Sequence, residues 1–556
     1  MKRLFREQEN KIDFFVFMVV MVIACSPLIT KYCINGHDLE YHLLRIESLK
    51  EGILMGKPFL RINALFLGGA GYASSLFYPD FILYIPAFLR VLGVGINASF
   101  HILVGLCICL TYLSTRYCVK KMTGSTYPAI MAGILVTLSP YYLGDVYIRS
   151  AVGEYMAFIF IPFVIYGIYN TVYEDMSKPW ILGIGFGGVL LTHTNTFIFC
   201  IAFGIVAFLV KWKVFKSNIK VLVKLLITAG LTAAITAFYW VPVMEMLLST
   251  PLGVNEAWIT LEETALQFSM IFSDEFPSLG FWLVILAFPR VLIKKNSHNK
   301  NLINYGDWLL IGGALFAVLT TDIIPWKRLN GYLSFVQFPW RLFCLATVMI
   351  AIADAIIMYC FIKSSLEPLM QSSMRVLTIL LLIISAALSF RFISSADITY
   401  YDYSDDYYSY KPFTAGIIAG EWLPRSVESV GQVLTDSDHM YNDRGEDVDF
   451  ERIKNRVETD VTEAYEYVDV PFVYYKGYSA TITDSVGNKQ KLSVSGSGKN
   501  GLTRVQLNGL TGHLKVSYSG TALQLISTLV SILTVLGLIF ERIIRQKNAK
   551  KSDNNG

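Results

Sequence analysis

Charge is scarce in this chain. Only 16% of its 556 residues are Asp, Glu, Lys or Arg, and the formal net charge is +4. So small an excess over that length gives no broad basic surface, which argues against nucleic acid as a partner. Cysteine is sparse too. Most of the eight lie inside apolar runs (Cys107, Cys109, Cys200, Cys344, Cys360), with no CxxC pair and no regular spacing. Neither a disulfide scaffold nor a zinc knuckle is indicated. "LGGAGYASS" at 67–75 is glycine-rich but has no strand before it and no helix after it, so it reads as a flexible turn and not as a nucleotide-phosphate loop. What abounds is apolar surface: 54% of residues are hydrophobic and the mean hydropathy is +0.48. That balance predicts a polytopic α-helical membrane protein.

About 20 apolar residues cross a bilayer. Runs of that kind lie near 12–30, 97–118, 126–144, 153–173, 180–194, 195–211, 221–240, 277–293, 307–321, 341–362, 374–391 and 521–541. The first follows "MKRLFREQENK" and is too long for a cleaved signal, so it is expected to stay as a span. A thirteenth run, 77–95, carries Asp80, two prolines and Arg90. If it does not span, nearly all the Lys/Arg clusters fall on one side, from Lys2, Arg3 and Arg6 to the tail "ERIIRQKNAKK". The positive-inside rule therefore favours about 12 spans, both termini cytoplasmic, and 77–95 as a re-entrant or interfacial helix.

This topology puts two regions outside the cytoplasm. One is the loop 31–95. The other is 393–519, tyrosine-rich and acidic at first ("YYDYSDDYYSYKPF"), then alternating like strands, with turns at Gly487-Asn488 and Gly498-Lys499-Asn500-Gly501. The expected organisation is a membrane domain over 1–392, a β-rich extracytoplasmic domain over 393–519, and a last helix with a basic cytoplasmic tail over 520–556.

The first outer loop opens with Asp38, Glu40, His42, Arg45 and Glu47 within ten residues. At about 100° per residue, Asp38, His42 and Arg45 share one stripe beside an apolar arc of Leu39, Leu43, Ile46 and Ile53. That pattern predicts a helix lying on the outer membrane surface with its ionisable stripe facing a cavity. A solvated face would give the same pattern, and His37, Asp38 and His42 do not have the spacing of a strong metal site. Further ionisable residues stand at outer ends of spans, where charge is costly and usually purposeful. They are Asp145, Arg149 and Glu154 in "SPYYLGDVYIRSAVGEY", His193 in "LLTHTNTF", Glu245 in "WVPVMEM" and Arg341 in "QFPWRLF". His193 taken alone reads more naturally as a hydrogen-bonded core residue.

"HDLEYHLLRIESLKEGILMGKP" after the first span, followed by "GGAGYASSLFYPDFILYIPAFLRVLG", resembles the GT-C superfamily of integral-membrane glycosyltransferases. The resemblance is strongest to the bacterial YfhO-like membrane proteins, and "AGEWLPRSV" with the stretch from "PFVYYKGYSATITD" to "HLKVSYSGT" extends it along the chain. Some of those relatives carry the label "6-pyruvoyl-tetrahydropterin synthase related", although no residue here supports pterin chemistry. The resemblance implies a GT-C-like fold, a polyprenyl-phosphate-linked sugar as donor, and inverting transfer to an extracytoplasmic acceptor such as a cell-envelope polymer or glycolipid. It also implies an acidic residue in the first outer loop that acts as base or positions the acceptor. Asp38 matches, with Glu40 the fallback in the "DxE" arrangement and His42 beside them.

The chemistry asks for the same residue types. An attacking hydroxyl needs a carboxylate, and a departing lipid phosphate needs a fixed cation. Arg149 and Arg341 are the expected cations and Arg45 the third, with Asp80, Glu154 and His193 completing the substrate site. No cofactor is expected, although a divalent cation stays open because the outer-loop acids are few. Two other readings compete: a lipid-linked sugar flippase, for which the mid-span Asp354 speaks, and a non-catalytic cell-envelope scaffold.

Overall fold

The computed structural model describes residues 2–253, 259–273, 275–280, 283, 285–293, 299–364, 368–395, 398–403, 417 and 420–554. Within them, five helices are long and apolar enough to cross a membrane: Ile96–Thr123, Val152–Tyr173, Pro339–Ser364, Arg375–Ser394 and Ala522–Asn548. Two broken pairs, Thr126–Thr137 with Pro140–Arg149 and Ile219–Ile235 with Ala237–Ser249, raise that number to seven if each is one span. Pro179–Leu190 and Thr194–Val210 are shorter apolar helices. Lys2–Ala24 and Lys300–Val318 are helical as well. Part of the expected span 277–293 lies outside the described residues, as does 404–413 of the tyrosine-rich stretch. The run 77–95 yields one helix of eight residues, Tyr84–Val91, far short of the length a span needs.

The chain divides into two compact units. The first comprises Met1–Leu39, Gly93–Ala229 and Ala257–Ser404; the second comprises Glu40–Leu92, Gly230–Glu256 and Asp405–Gly556.

The first unit is a helical bundle. Apolar side chains gain little by leaving lipid for protein, so helices in such a bundle associate by close packing of small residues. Ile161–Tyr173 and Pro179–Leu190 show this directly. A Cβ on Gly185 would lie 2.5 Å from the Val164 backbone nitrogen, and one on Gly167 would lie 2.7 Å from Leu182 Cα. Asp13 and Arg116 tie the first helix to Ile96–Thr123 through a forked ion pair, with Arg116 Nε 2.7 Å from Asp13 Oδ1. Every residue from Phe343 to Ile362 is buried. A two-stranded ribbon pairs Cys33–Ile34 with Tyr400–Tyr401 and anchors the segment leading to Asp38.

The second unit contains the β-structure. Glu451–Ile453, Arg456–Val461, Gly512–Tyr518, Tyr478–Thr483 and Lys489–Leu492 form a five-stranded antiparallel sheet in that order. Tyr441–Asn442, Tyr467–Val473, Leu502–Gln506 and Val494–Ser495 form a four-stranded one. Alternation decides the buried face: the buried Leu514 and Val516 alternate with the outward His513 and Lys515. They join Val457, Val468, Val470 and Val505 in one apolar core. Glycine-containing turns close the strands where expected, with Gly487 and Gly501 at positive φ.

"LGGAGYASS" is not a flexible turn. Leu67–Gly69 is buried, and a Cβ on Gly68 or Gly69 would strike Ser437 Oγ at 2.6 Å or Arg452 Nη1 at 2.2 Å. Its glycines serve close packing and positive φ, not mobility.

Candidate functional site

Two ionisable clusters carry the expected residues, one in each unit. In the first unit, Thr126–Thr137 is followed by Pro140–Gly144, whose N-terminus is capped by Ser139 Oγ accepting from the Tyr142 N–H. The chain then widens into a five-residue π-helix, Asp145–Arg149, and turns at Ser150 with φ 52°. Such insertions re-aim side chains and recur at functional sites. The next helix starts at Val152 and brings Glu154 round to face the same arginine.

Arg149 is braced by two buried acids. Its Nη1 donates to Asp145 Oδ1 at 2.6 Å and to Glu154 Oε2 at 2.8 Å. The Trp340 ring lies 4.5 Å from the guanidinium carbon. Tyr141 donates its hydroxyl proton to Glu154 Oε1. Arg341 is held more loosely: Nη1 donates to Gln337 Oε1 at 2.8 Å and to the Val336 carbonyl at 3.2 Å. Its Nε is buried without a hydrogen bond, and Glu154 Oε2 stands 3.7 Å away. Phe276 stacks on Tyr141 and packs edge-on to Trp340, giving the cluster an aromatic wall.

Asp38 belongs to this cluster. Its backbone N–H donates to the Arg149 carbonyl at 2.8 Å, and His37 donates likewise to Ile148. Gly36 is required by that approach, since a Cβ there would lie 2.1 Å from Ser150 Oγ. Asp38 is half-buried. Burial pushes its carboxyl above the ordinary range, and the nearby positive charges of Arg149, Arg341 and His37 pull part of the way back. His193 is buried, with Nδ1 2.8 Å from Thr196 Oγ1, and it interacts electrostatically with Glu154.

The second unit holds His42, Arg45 and Asp80. Leu39–Leu54 is a helix, but Asp38 precedes it, so Asp38 is not on the expected stripe. Nor does the stripe face a cavity. Arg45 is fully buried; its Nη2 donates to the carbonyls of Tyr78 and Pro79 and to Asp80 Oδ1, while Nη1 meets His42 Nδ1 at 3.1 Å. Tyr78 covers the guanidinium at 4.4 Å. Carbonyls at the end of a buried turn need donors, and Arg45 supplies them, which draws it inward as a structural anchor. Glu47 is likewise taken up by Arg90 and Lys50. Glu40 is half-buried.

The structure thus joins Asp38, Arg149, Glu154, Arg341 and His193, and gathers His42, Arg45 and Asp80 separately. Tyr141, Gln337 and Trp340 are the partners sequence reasoning missed. Tyr141 is four residues before Asp145, one helical turn, and Gln337 and Trp340 precede Arg341 in the same short string; those spacings were the available signal. Phe276, distant in sequence, left none. Among the described residues no group of three or more His, Cys, Asp or Glu side chains is arranged to hold a metal ion.

No protein-family model matches the sequence, and no curated protein matches it. Among solved structures, the arabinofuranosyltransferase AftD from Mycobacteria is similar at 14% identity and TM-score 0.45, over 69% of this chain and 26% of that one. The oligosaccharyltransferase of Archaeoglobus fulgidus in its apo form is similar at 12% identity and TM-score 0.40, over 70% and 56%. The same organism's AglB, solved with an inhibitory peptide and a dolichol-phosphate, gives 12% and 0.36, over 67% and 55%. The matched part of this chain spans about a quarter of AftD and just over half of the archaeal enzyme.

Proposed function

We propose that this membrane protein is a GT-C-type, YfhO-like glycosyltransferase that moves a sugar from a polyprenyl-phosphate donor to an extracytoplasmic acceptor, a cell-envelope polymer or glycolipid. One observation carries the proposal: a half-buried carboxyl, Asp38, is held beside two arginines at the ends of apolar helices. In this reading the acceptor hydroxyl attacks the anomeric carbon, and Asp38 takes its proton. The bond from that carbon to the phosphate oxygen breaks, and the lipid phosphate leaves with the electron pair. Arg341 receives it, because among the described residues its Nε has no hydrogen bond and only a 3.7 Å ion pair with Glu154, whereas Arg149 Nη1 is committed to Asp145 and Glu154 at 2.6 and 2.8 Å. Glu154 and Asp145 then act by positioning Arg149, and His193 by its interaction with Glu154. Both termini are cytoplasmic in this proposal and the β-rich region is extracytoplasmic.

The test is Asp38→Asn in membranes supplied with polyprenyl-phosphate sugar, scoring transfer and translocation separately. The carboxamide keeps the shape but takes no proton, so transfer should fall about a hundredfold or more with expression unchanged. Full transfer in Asp38→Asn with loss in Glu40→Gln would move the base by two residues. Full activity in both would end the enzymatic reading.

The flippase reading keeps one observation of its own. Asp354 is fully buried in the helix Phe343–Ser364 and, among the described residues, neither carboxylate oxygen has a hydrogen-bond partner; an ionisable residue inside a span is associated with transport paths. Translocation without transfer in the same assay would favour it.

A further inference from the structure

The second unit contains a cavity of about 490 Å³ that the proposed transfer does not use. Its lining includes Lys57 and Arg61 and no Asp or Glu. Lys57 makes no ion pair among the described residues. Arg61 spends Nη2 on the Phe238 carbonyl at 2.7 Å and, among the described residues, forms no ion pair with a carboxylate. Asp80, which acts on Arg61 electrostatically, is held by Arg45; Glu245 is held by Thr521 and Lys476, and Glu458 by Arg456 and Lys515. Partial desolvation at the cavity rim, and after it the like charges of Lys515 and Arg456, push the Lys57 ammonium down. An anion between Lys57 and Arg61 would relieve that crowding.

The rest of the lining is amphipathic. Phe59 and Phe472 give apolar walls, and the Tyr518 hydroxyl accepts from Gln524 Nε2 at 2.9 Å. Gln524, Leu525 and Thr528 also line the cavity. They fall on one face, at i, i+1 and i+4, of the first turns of Ala522–Asn554, the last membrane-length helix. A cationic mouth beside Leu525 and the Phe59 and Phe472 walls fits a ligand with an anionic head and a hydrocarbon tail.

We propose that this cavity binds the phosphate head of an amphiphile, with Lys57 and Arg61 as its anion contacts and Leu525 and Thr528 leading to its chain. The proposal stands apart from the transfer reading, because none of its residues belongs to the Asp38 cluster.

The purified full-length chain would be titrated by calorimetry with dihexanoyl phosphatidic acid below its micelle concentration, and separately with inorganic phosphate. Saturable binding of the lipid, at least about tenfold tighter than phosphate and weakened about tenfold by Lys57→Gln, would support a lipid source. Equal affinity for the two, both weakened by Lys57→Gln, would support the same anion site with free phosphate as its occupant. Leu525→Trp should weaken the lipid by filling the apolar end and leave phosphate unchanged. Lys57 is exposed, so Lys57→Gln tests the site without disturbing the core; Arg61→Gln, which also loses its carbonyl contact, is read only alongside a melting curve. Absence of saturable binding by either probe, or binding unchanged in Lys57→Gln, overturns the proposal. Asp38→Asn should bind the lipid as the wild type does, so failure of the transfer reading and failure of this one are told apart.

Discussion

Asp38 shows how a single carboxyl sets stability against function. Burial raises its folded pKa above the ordinary value of about 4, so ionising it costs the folded state. The contribution of the neutral acid is fully present below the ordinary carboxylate pKa and is lost as pH rises through the folded one. Asp38→Asn, which cannot ionise, should therefore melt at or above the wild-type temperature at neutral pH, with the difference disappearing near pH 4. The wild-type rate of transfer should rise with pH across the same window, because only the ionised form accepts a proton. A variant less stable than wild type at neutral pH would place Asp38 in a structural role.

The arginines should separate by the same logic. Arg149→Ala strands Asp145 and Glu154 without their cation, a loss of about 3–5 kcal/mol for a broken buried pair, read as a fall in melting temperature. Arg341→Lys keeps the charge but gives up the planar fork. It should melt nearly as wild type and need about tenfold more donor, which donor kinetics would show.

At this scale, Arg149, Glu154 and Arg341 were legible in the sequence because charge beside apolar runs is rare and costly. The brace around Arg149 was only half legible. Asp145 stood in the same string, but its pairing depends on a π-helical insertion that no periodicity announces. Arg45 misled for a related reason: a helical stripe records direction around an axis and says nothing of carbonyls 33 and 34 residues away that claim the guanidinium.

Elements were read more easily. Runs of apolar residues marked the membrane-length helices, although about 12 spans were expected and five to seven are found among the described residues; alternation marked Tyr478–Thr483 and Gly512–Tyr518, because both patterns are local. Close approach between elements is not local, and glycine carries it. Gly185→Leu should separate Pro179–Leu190 from Ile161–Tyr173, because its first side-chain atom already meets the Val164 backbone. Overpacking of about 1–3 kcal/mol is expected, measured as a lower melting temperature. Gly230→Leu, where a Cβ would meet nothing within 4 Å, serves as the neutral control.

For the whole molecule, sidedness is the quantity to test. Cysteine labelling reports it only from exposed positions, and Ser75, in the loop expected outside, is buried with its hydroxyl donating to Asn63. Ser485, exposed in the turn between two strands, and Ser217, exposed near the Lys211–Lys224 cluster, are the suitable sites. The proposed topology expects Ser485→Cys to react with an impermeant maleimide in intact cells, and Ser217→Cys only after permeabilisation. Reaction of Ser217→Cys in intact cells would reverse that side of the bilayer.

The enclosed helix Phe343–Ser364 bears on how this protein is made. It is apolar enough to leave the insertion machinery on its own, yet in the finished fold every side chain from Phe343 to Ile362 is buried. An acid at a helix centre resists that exit by roughly 2.5–3.5 kcal/mol, and Asp354 imposes the cost at the moment when lipid surrounds the helix. The surrounding isoleucines, methionines and alanines must outweigh it then, before the neighbouring helices have closed around it. Its hydrophobicity is therefore a requirement of biosynthesis, outlasting the brief contact with lipid that makes it necessary.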